Sequence, residues 1–190
     1  ASIYAAFEAM FEMYDVFKTE YEEKNRLKQE SINKLAKKVD MYKKEMEKYI
    51  KAHMYNENTK TLKRNASDEI TDMSVIGAVV PFKMYKPKEK KILNTVEKIN
   101  MTLRTYTGGY LRFEGDHYRE GKSPWSITTL WMAMYYKEAG EKKKAQECID
   151  YIVNSANQHG LIGEQIDNNT MQPNWVIGLA WAHAMFILGI

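Results

Sequence analysis

An all-α fold in two helical layers is what this sequence predicts, and three observations carry that expectation. Neither glycine nor proline occurs before Gly77. Apolar residues recur at helical spacing in segment after segment. The last stretch, 175–190, is apolar on nearly every side, which calls for a helix buried on both faces. Amphipathic helices outside and apolar helices inside suggest concentric layers rather than a simple bundle. About seven helices and no convincing strand are expected.

Ile3, Phe7, Met10, Phe11 and Tyr14 mark a first helix, and Ile32, Leu35, Ala36, Val39, Tyr42, Met46, Tyr49 and Ile50 a long second one. Residues 55–65 mix polar types and read as a loop, with room for a short hairpin. A third helix is expected over 68–80, stopped near Pro81, and a fourth over 88–103 with Ile92, Leu93, Val96, Ile99 and Leu103 on one side. Residues 106–122 form the longest irregular stretch. Loops of that length inside a domain are usually functional or mobile. Ser123 and Pro124 predict the start of a fifth helix, as N-cap and first helical residue, and Gly140 its close. A sixth follows over 141–156. A second irregular segment, 157–172, precedes a last helix opened by Pro173.

The 190 residues fit one domain or a large piece of one. A net charge of +3 is too small to argue for nucleic acid, and the lysines alternate with glutamates as on a solvated helix face. The stretch 175–190 is too short to span a membrane and contains His183. His53, His117, His159 and His183 are scattered without metal-ligand spacing, and nothing implies a metal or cofactor. Cys148, the single cysteine, sits in helical pattern beside Ile149 and Ile152 and reads as a buried core thiol. No secretory leader is visible at the N-terminus; the location stays open, with the cytoplasm favoured. Ala1 opens directly into helical pattern, as a processed or truncated product would.

Segment 106–118 carries Arg112, Glu114, Asp116 and three tyrosines on a glycine-softened loop. Carbohydrate sites need that mixture: a planar cation and an acid fix vicinal hydroxyls, and rings cover the C–H face of a sugar. An Arg–Asp pair that only staples the loop fits the same residues. Glu164 stands in a glycine-flanked turn before an apolar wall, and a solvated loop acid is its plain alternative.

The order of four segments adds to this. Gly-Gly-Tyr-Leu-Arg-Phe-Glu-Gly-Asp at 108–116 comes first, then Ser-Pro-Trp-Ser-Ile-Thr-Thr-Leu-Trp at 123–131. Gly-Leu-Ile-Gly-Glu-Gln at 160–165 and Leu-Ala-Trp-Ala-His-Ala-Met-Phe at 179–186 follow. Together they resemble the C-terminal half of glycoside hydrolase family 15, the glucoamylase, glucodextranase and trehalase-like family. The resemblance implies that residues 1–190 are the C-terminal portion of an (α/α)6 barrel, part of an inverting exo-hydrolase of α-glucosides. It implies Glu164 as general base, Arg112 and Asp116 as holders of glucose hydroxyls, and Trp125 and Trp181 as aromatics near the buried end of the pocket. For both tryptophans a core role competes with sugar contact.

The family's general acid is a Glu directly after a Trp. Here the four tryptophans are followed by Ser126, Met132, Val176 and Ala182. The chain therefore resembles a fragment without its acid, inactive alone. Its expected partners are an α-glucan or α-glucoside oligosaccharide, and either the missing N-terminal half or a second copy. A trehalase of the same family and a non-catalytic sugar-binding or scaffold protein are the alternatives.

Overall fold

In the computed structural model, which describes residues 1–21 and 26–190, the best-buried helix is α4, Ser126–Glu138. Its Leu130, Met132 and Ala133 are fully inaccessible, and its polar first turn of Ser126, Thr128 and Thr129 is buried as well. Such a turn is tolerable only because each hydroxyl has a partner: Ser126 Oγ donates to the Gly163 carbonyl at 2.7 Å and Thr128 Oγ1 to the Tyr110 carbonyl at 2.6 Å. Three neighbours surround α4. They are α5 (Lys142–Ser155), α6 (Ala180–Gly189) and a 3-10 turn over Met73–Ala78. Helix α3 (Lys90–Thr102) adds Ile92, Val96 and Ile99 to the same core. Helices α1 (Ser2–Tyr21) and α2 (Arg26–His53) pack on each other.

The chain runs up and down, and its connections are unequal. A tight turn joins α4 to α5, closed by Gly140 at φ +81° as expected for a residue after a helix end. At the other end, the long segments 103–125 and 156–179 lead into the N-termini of α4 and α6. Arg112, Asp116 and Glu164 are thereby carried on segments at one end of these helices.

Several sequence expectations need correction. Ser123 does not cap α4, which starts three residues later with Trp125 extended before it (φ −96°, ψ 137°) and no side-chain cap. Residues 124 and 125 instead pair with distant backbone: Trp125 N–H donates to the Tyr110 carbonyl at 2.9 Å, and the Pro124 carbonyl accepts from Ile166 at 3.0 Å. The helix expected over 68–80 is only the 3-10 turn, capped by Asp72, because Asp72 is also engaged in a bridge to Phe113. Pro173 does not open the last helix. It lies in β4 (Pro173–Asn174), antiparallel to β3 (Gln165–Ile166). The loop at 55–65 does contain the short hairpin, β1 (Tyr55–Asn56) with β2 (Thr61–Leu62). Finally, α6 is not buried on both faces. Ala182 and Gly189 are covered, whereas Ile187 is 70% exposed, since only one side of this helix meets α4 and α5.

Cys148 is buried at 4% exposure, in agreement with its pattern, and burial pushes its thiol up to about 12. Since the thiolate is the reactive form, a thiol reagent at pH 8 should label Cys148 only after denaturation. Rapid labelling of the folded chain would contradict this core.

Candidate active site

One run of backbone pairing organises the loop-bearing end. Tyr110 bridges both Arg104 and Trp125, Trp125 bridges Gln165, and Gln165 pairs with Asn174. Five short stretches, at Arg104, Tyr110, Trp125, Gln165 and Asn174, thus lie side by side across the helix ends. The rung at Trp125 explains the lost helix cap, since its N–H and that of Ser126 are spent on Tyr110 and Glu164 carbonyls.

Beyond Tyr110 the chain enters the loop that carries Arg112 and Asp116. These two form a bidentate pair, Nε to Oδ2 at 2.9 Å and Nη2 to Oδ1 at 2.8 Å. The Asp116 side chain is only 4% exposed, and Arg112 is 38% exposed. A buried carboxylate needs such charge-assisted bonds. The Tyr118 N–H adds a third, to Asp116 Oδ1 at 2.9 Å. The Arg112 guanidinium carbon lies 4.5 Å from the centre of the buried Trp125 ring and 5.5 Å from that of Tyr118. The loop doubles back at Gly121, where φ is +66° and a Cβ would fall 1.6 Å from the Asp116 carbonyl oxygen. Only glycine fits there.

Glu164 reaches the same place from the other direction. Its turn is held on both sides: Glu164 N–H donates to the Val176 carbonyl at 3.2 Å, and its own carbonyl accepts from Ser126. Gly163 lies so close to β4 that a Cβ would sit 2.9 Å from the Pro173 Cβ. The Glu164 carboxylate is half-buried and accepts a hydrogen bond from the Tyr118 hydroxyl at 3.2 Å. Tyr118 also packs on Trp125, with ring centres 5.4 Å apart and planes inclined at 43°. Arg112, Asp116, Trp125 and Glu164 are therefore one cluster, with Tyr118 as the link.

Trp181 is in the first turn of α6 and half-exposed. It shares the cluster's end of the helices, because the α6 N-terminus is tied to the Glu164 turn: His183 Nε2 accepts from the Ile162 N–H at 3.2 Å. His183 Nδ1 lies 2.9 Å from the Leu179 carbonyl and donates to it, which assigns the proton to Nδ1. Among the described residues no hydrogen bond or ring contact joins Trp181 to Arg112, Asp116 or Glu164. No group of histidine, cysteine, aspartate or glutamate among the described residues is arranged to hold a metal ion.

Three contributors have no role in the sequence reading. Tyr118 is one of several loop tyrosines there, although its place two residues after Asp116 is the available signal. His183 figures there as a scattered histidine within an apolar stretch, with no structural part assigned to it. Arg119 lies over the Trp175 ring at 3.1 Å, and both residues have left-handed backbone, φ 49° and 56°. Nothing in the local sequence announces a positive φ at an arginine or a tryptophan.

The sequence and the fold have counterparts among known proteins. Over 136 residues the chain is 29% identical to an uncharacterised glycosyl hydrolase of Methanocaldococcus jannaschii, covering 65% of this chain and 22% of the relative. Trehalase 1 of Sulfolobus acidocaldarius is 31% identical over 104 residues, 54% of this chain and 18% of the relative. A solved wild-type glycosidase superposes with a TM-score of 0.73 at 18% identity, over 81% of this chain and 43% of that one. A bacterial glucoamylase complexed with acarbose gives 0.71 at 24% identity, over 85% and 30%. The chain is thus similar to glycosyl hydrolases and trehalases over half to two thirds of its length. No protein-family model matches it. Its fold is the glucoamylase-like all-α fold, and the match covers 22% or less of each of these curated relatives.

Proposed function

We propose that this chain is the base-bearing C-terminal part of an inverting, exo-acting α-glucoside hydrolase domain. The observation that carries this reading is the cluster of Glu164, Tyr118, Arg112, Asp116 and Trp125 at one end of the helices. Names of the relatives support glycoside hydrolysis, and the solved neighbours include a glycosidase with glucose and the glucoamylase with acarbose.

In this reading the Arg112–Asp116 pair holds hydroxyls of the glucose to be released. Bidentate geometry fixes both groups, and the tilted, packed rings of Trp125 and Tyr118 wall the same space. Glu164 takes a proton from a water as the water oxygen bonds to the anomeric carbon and the C–O bond to the leaving group breaks. The leaving oxygen needs a proton in turn. No Trp-Glu pair is present to supply the family's acid, so the acid comes from polypeptide outside these residues. Inversion places acid and base about 6.5–9.5 Å apart, which leaves room for that water. The direct test is hydrolysis of maltose, isomaltose and trehalose by the full-length protein; no release of glucose from any of them would end the proposal. Trehalose is the second substrate reading, favoured by similarity to two Sulfolobus trehalases.

The same reading accounts for apolar surface. Ile3, Met10, Met13 and Val16 on α1, and Trp181, Ile187 and Leu188 on α6, are exposed. Contiguous apolar patches beyond a few hundred Å² are rare on monomers. These faces suit the remainder of a barrel or, in its absence, a second copy. The 190 residues alone should therefore self-associate in sedimentation, and added N-terminal polypeptide should displace the self-contact. A non-associating monomer at high concentration would favour an independent scaffold.

A further inference from the structure

We infer that Tyr118 is a positioning residue for the Glu164 carboxylate, with Arg119 stacked on Trp175 as the brace that keeps their two segments in register. The inference rests on Glu164 being the general base. A glutamate has three side-chain torsions, and on a turn at the surface it would sample many directions. A base must instead aim one oxygen at a water. The Tyr118 hydroxyl, 3.2 Å from Oε2, supplies that restraint.

What makes the restraint specific is how Tyr118 is itself held. Its N–H is bonded to Asp116, its ring rests on Trp125, and Arg112 lies over it. Every group that would grip the sugar also fixes the phenol that aims the base. The next residue, Arg119, crosses to Trp175, whose neighbour Val176 accepts the Glu164 N–H. Two adjacent residues of one loop thus bridge to two adjacent points of the other segment. Both members of the Arg119–Trp175 stack have unfavourable positive φ, a cost that persists only where surrounding contacts impose it. At this place the two side chains form a cation–π stack. A second set of bonds joins the same segments: Thr107 Oγ1 donates to Asn168 Oδ1, and Asn168 Nδ2 donates to the Lys122 carbonyl.

The test compares Tyr118→Phe, Trp175→Ala and Glu164→Gln in the full-length protein. Tyr118→Phe keeps the ring and removes only the hydroxyl. Loss of one hydrogen bond to a charged group should lower kcat about tenfold, with KM unchanged and thermal stability nearly intact. Trp175→Ala should reduce kcat in the same manner, by a smaller factor. Unchanged kcat in Tyr118→Phe, with Glu164→Gln inactive, would overturn the positioning role and leave the base assignment standing. A fall in kcat/KM carried by KM, or by loss of fold, would also overturn it, because Tyr118 would then be structural. Normal turnover in Glu164→Gln would overturn the base assignment and the inference with it.

Discussion

Glu164→Gln in the full-length protein should cut kcat by roughly 10²–10⁴-fold while leaving substrate binding largely intact. The amide matches the carboxylate in shape and can still meet the Tyr118 hydroxyl, but it cannot accept a proton from water. Its backbone bonds to Val176 and Ser126 do not involve the side chain, so the turn should survive. Steady-state kinetics together with binding of a glucose-derived inhibitor checks both halves of the expectation. Near-normal turnover would place the base elsewhere and return Glu164 to the status of a half-buried loop acid.

Asp116→Ala should have the second largest effect, on stability and binding together. It removes three hydrogen bonds to one buried carboxylate, two from Arg112 and one from the Tyr118 N–H. Bonds to charged groups contribute about 1.5–3 kcal/mol each at most and are not additive. Arg112 is partly solvated, so a net loss of about 2 kcal/mol is expected, or a fall in Tm of about 4–8 °C for a domain of this size. KM should rise by roughly tenfold or more, because Arg112 loses its orientation toward the sugar. Loss of stability with unchanged KM would show that the pair merely staples the loop, the alternative that the sequence leaves open. Melting curves and kinetics on the same preparation separate the two outcomes.

The parts of this molecule that were legible in the sequence are those with local causes. Helices α1, α2, α3 and α5 follow from apolar spacing, and Gly140 ends α4 because a positive φ is cheap only for glycine. The cluster was legible as residues, since Arg112, Asp116, Trp125 and Glu164 each stand in a short motif. What defeated local reading was backbone pairing over long separations. Ser123 and Pro124 have the chemistry of a helix start, yet Trp125 and Ser126 gave their N–H groups to Tyr110 and Glu164. Pro173 has the chemistry of a first helical residue, yet the hairpin with Ile166 claimed it and postponed α6 to Ala180. The exposure of α6 has a different cause. An all-round apolar helix predicts burial, but the described residues provide a partner for one side only. Tyr118 as the link between Glu164 and the Arg112–Asp116 pair is a consequence of these long-range pairings, and no periodicity could reveal it.

In the proposed reaction Glu164 activates a water on the face of the sugar opposite the leaving group. The anomeric configuration of the first glucose released tests it most directly, read by proton NMR before mutarotation, with the full-length protein and an α-glucoside bearing a non-sugar leaving group. β-Glucose should appear first and decay toward the equilibrium mixture. Glucose released first as the α-anomer would mean net retention, and would contradict a water-activating base at Glu164.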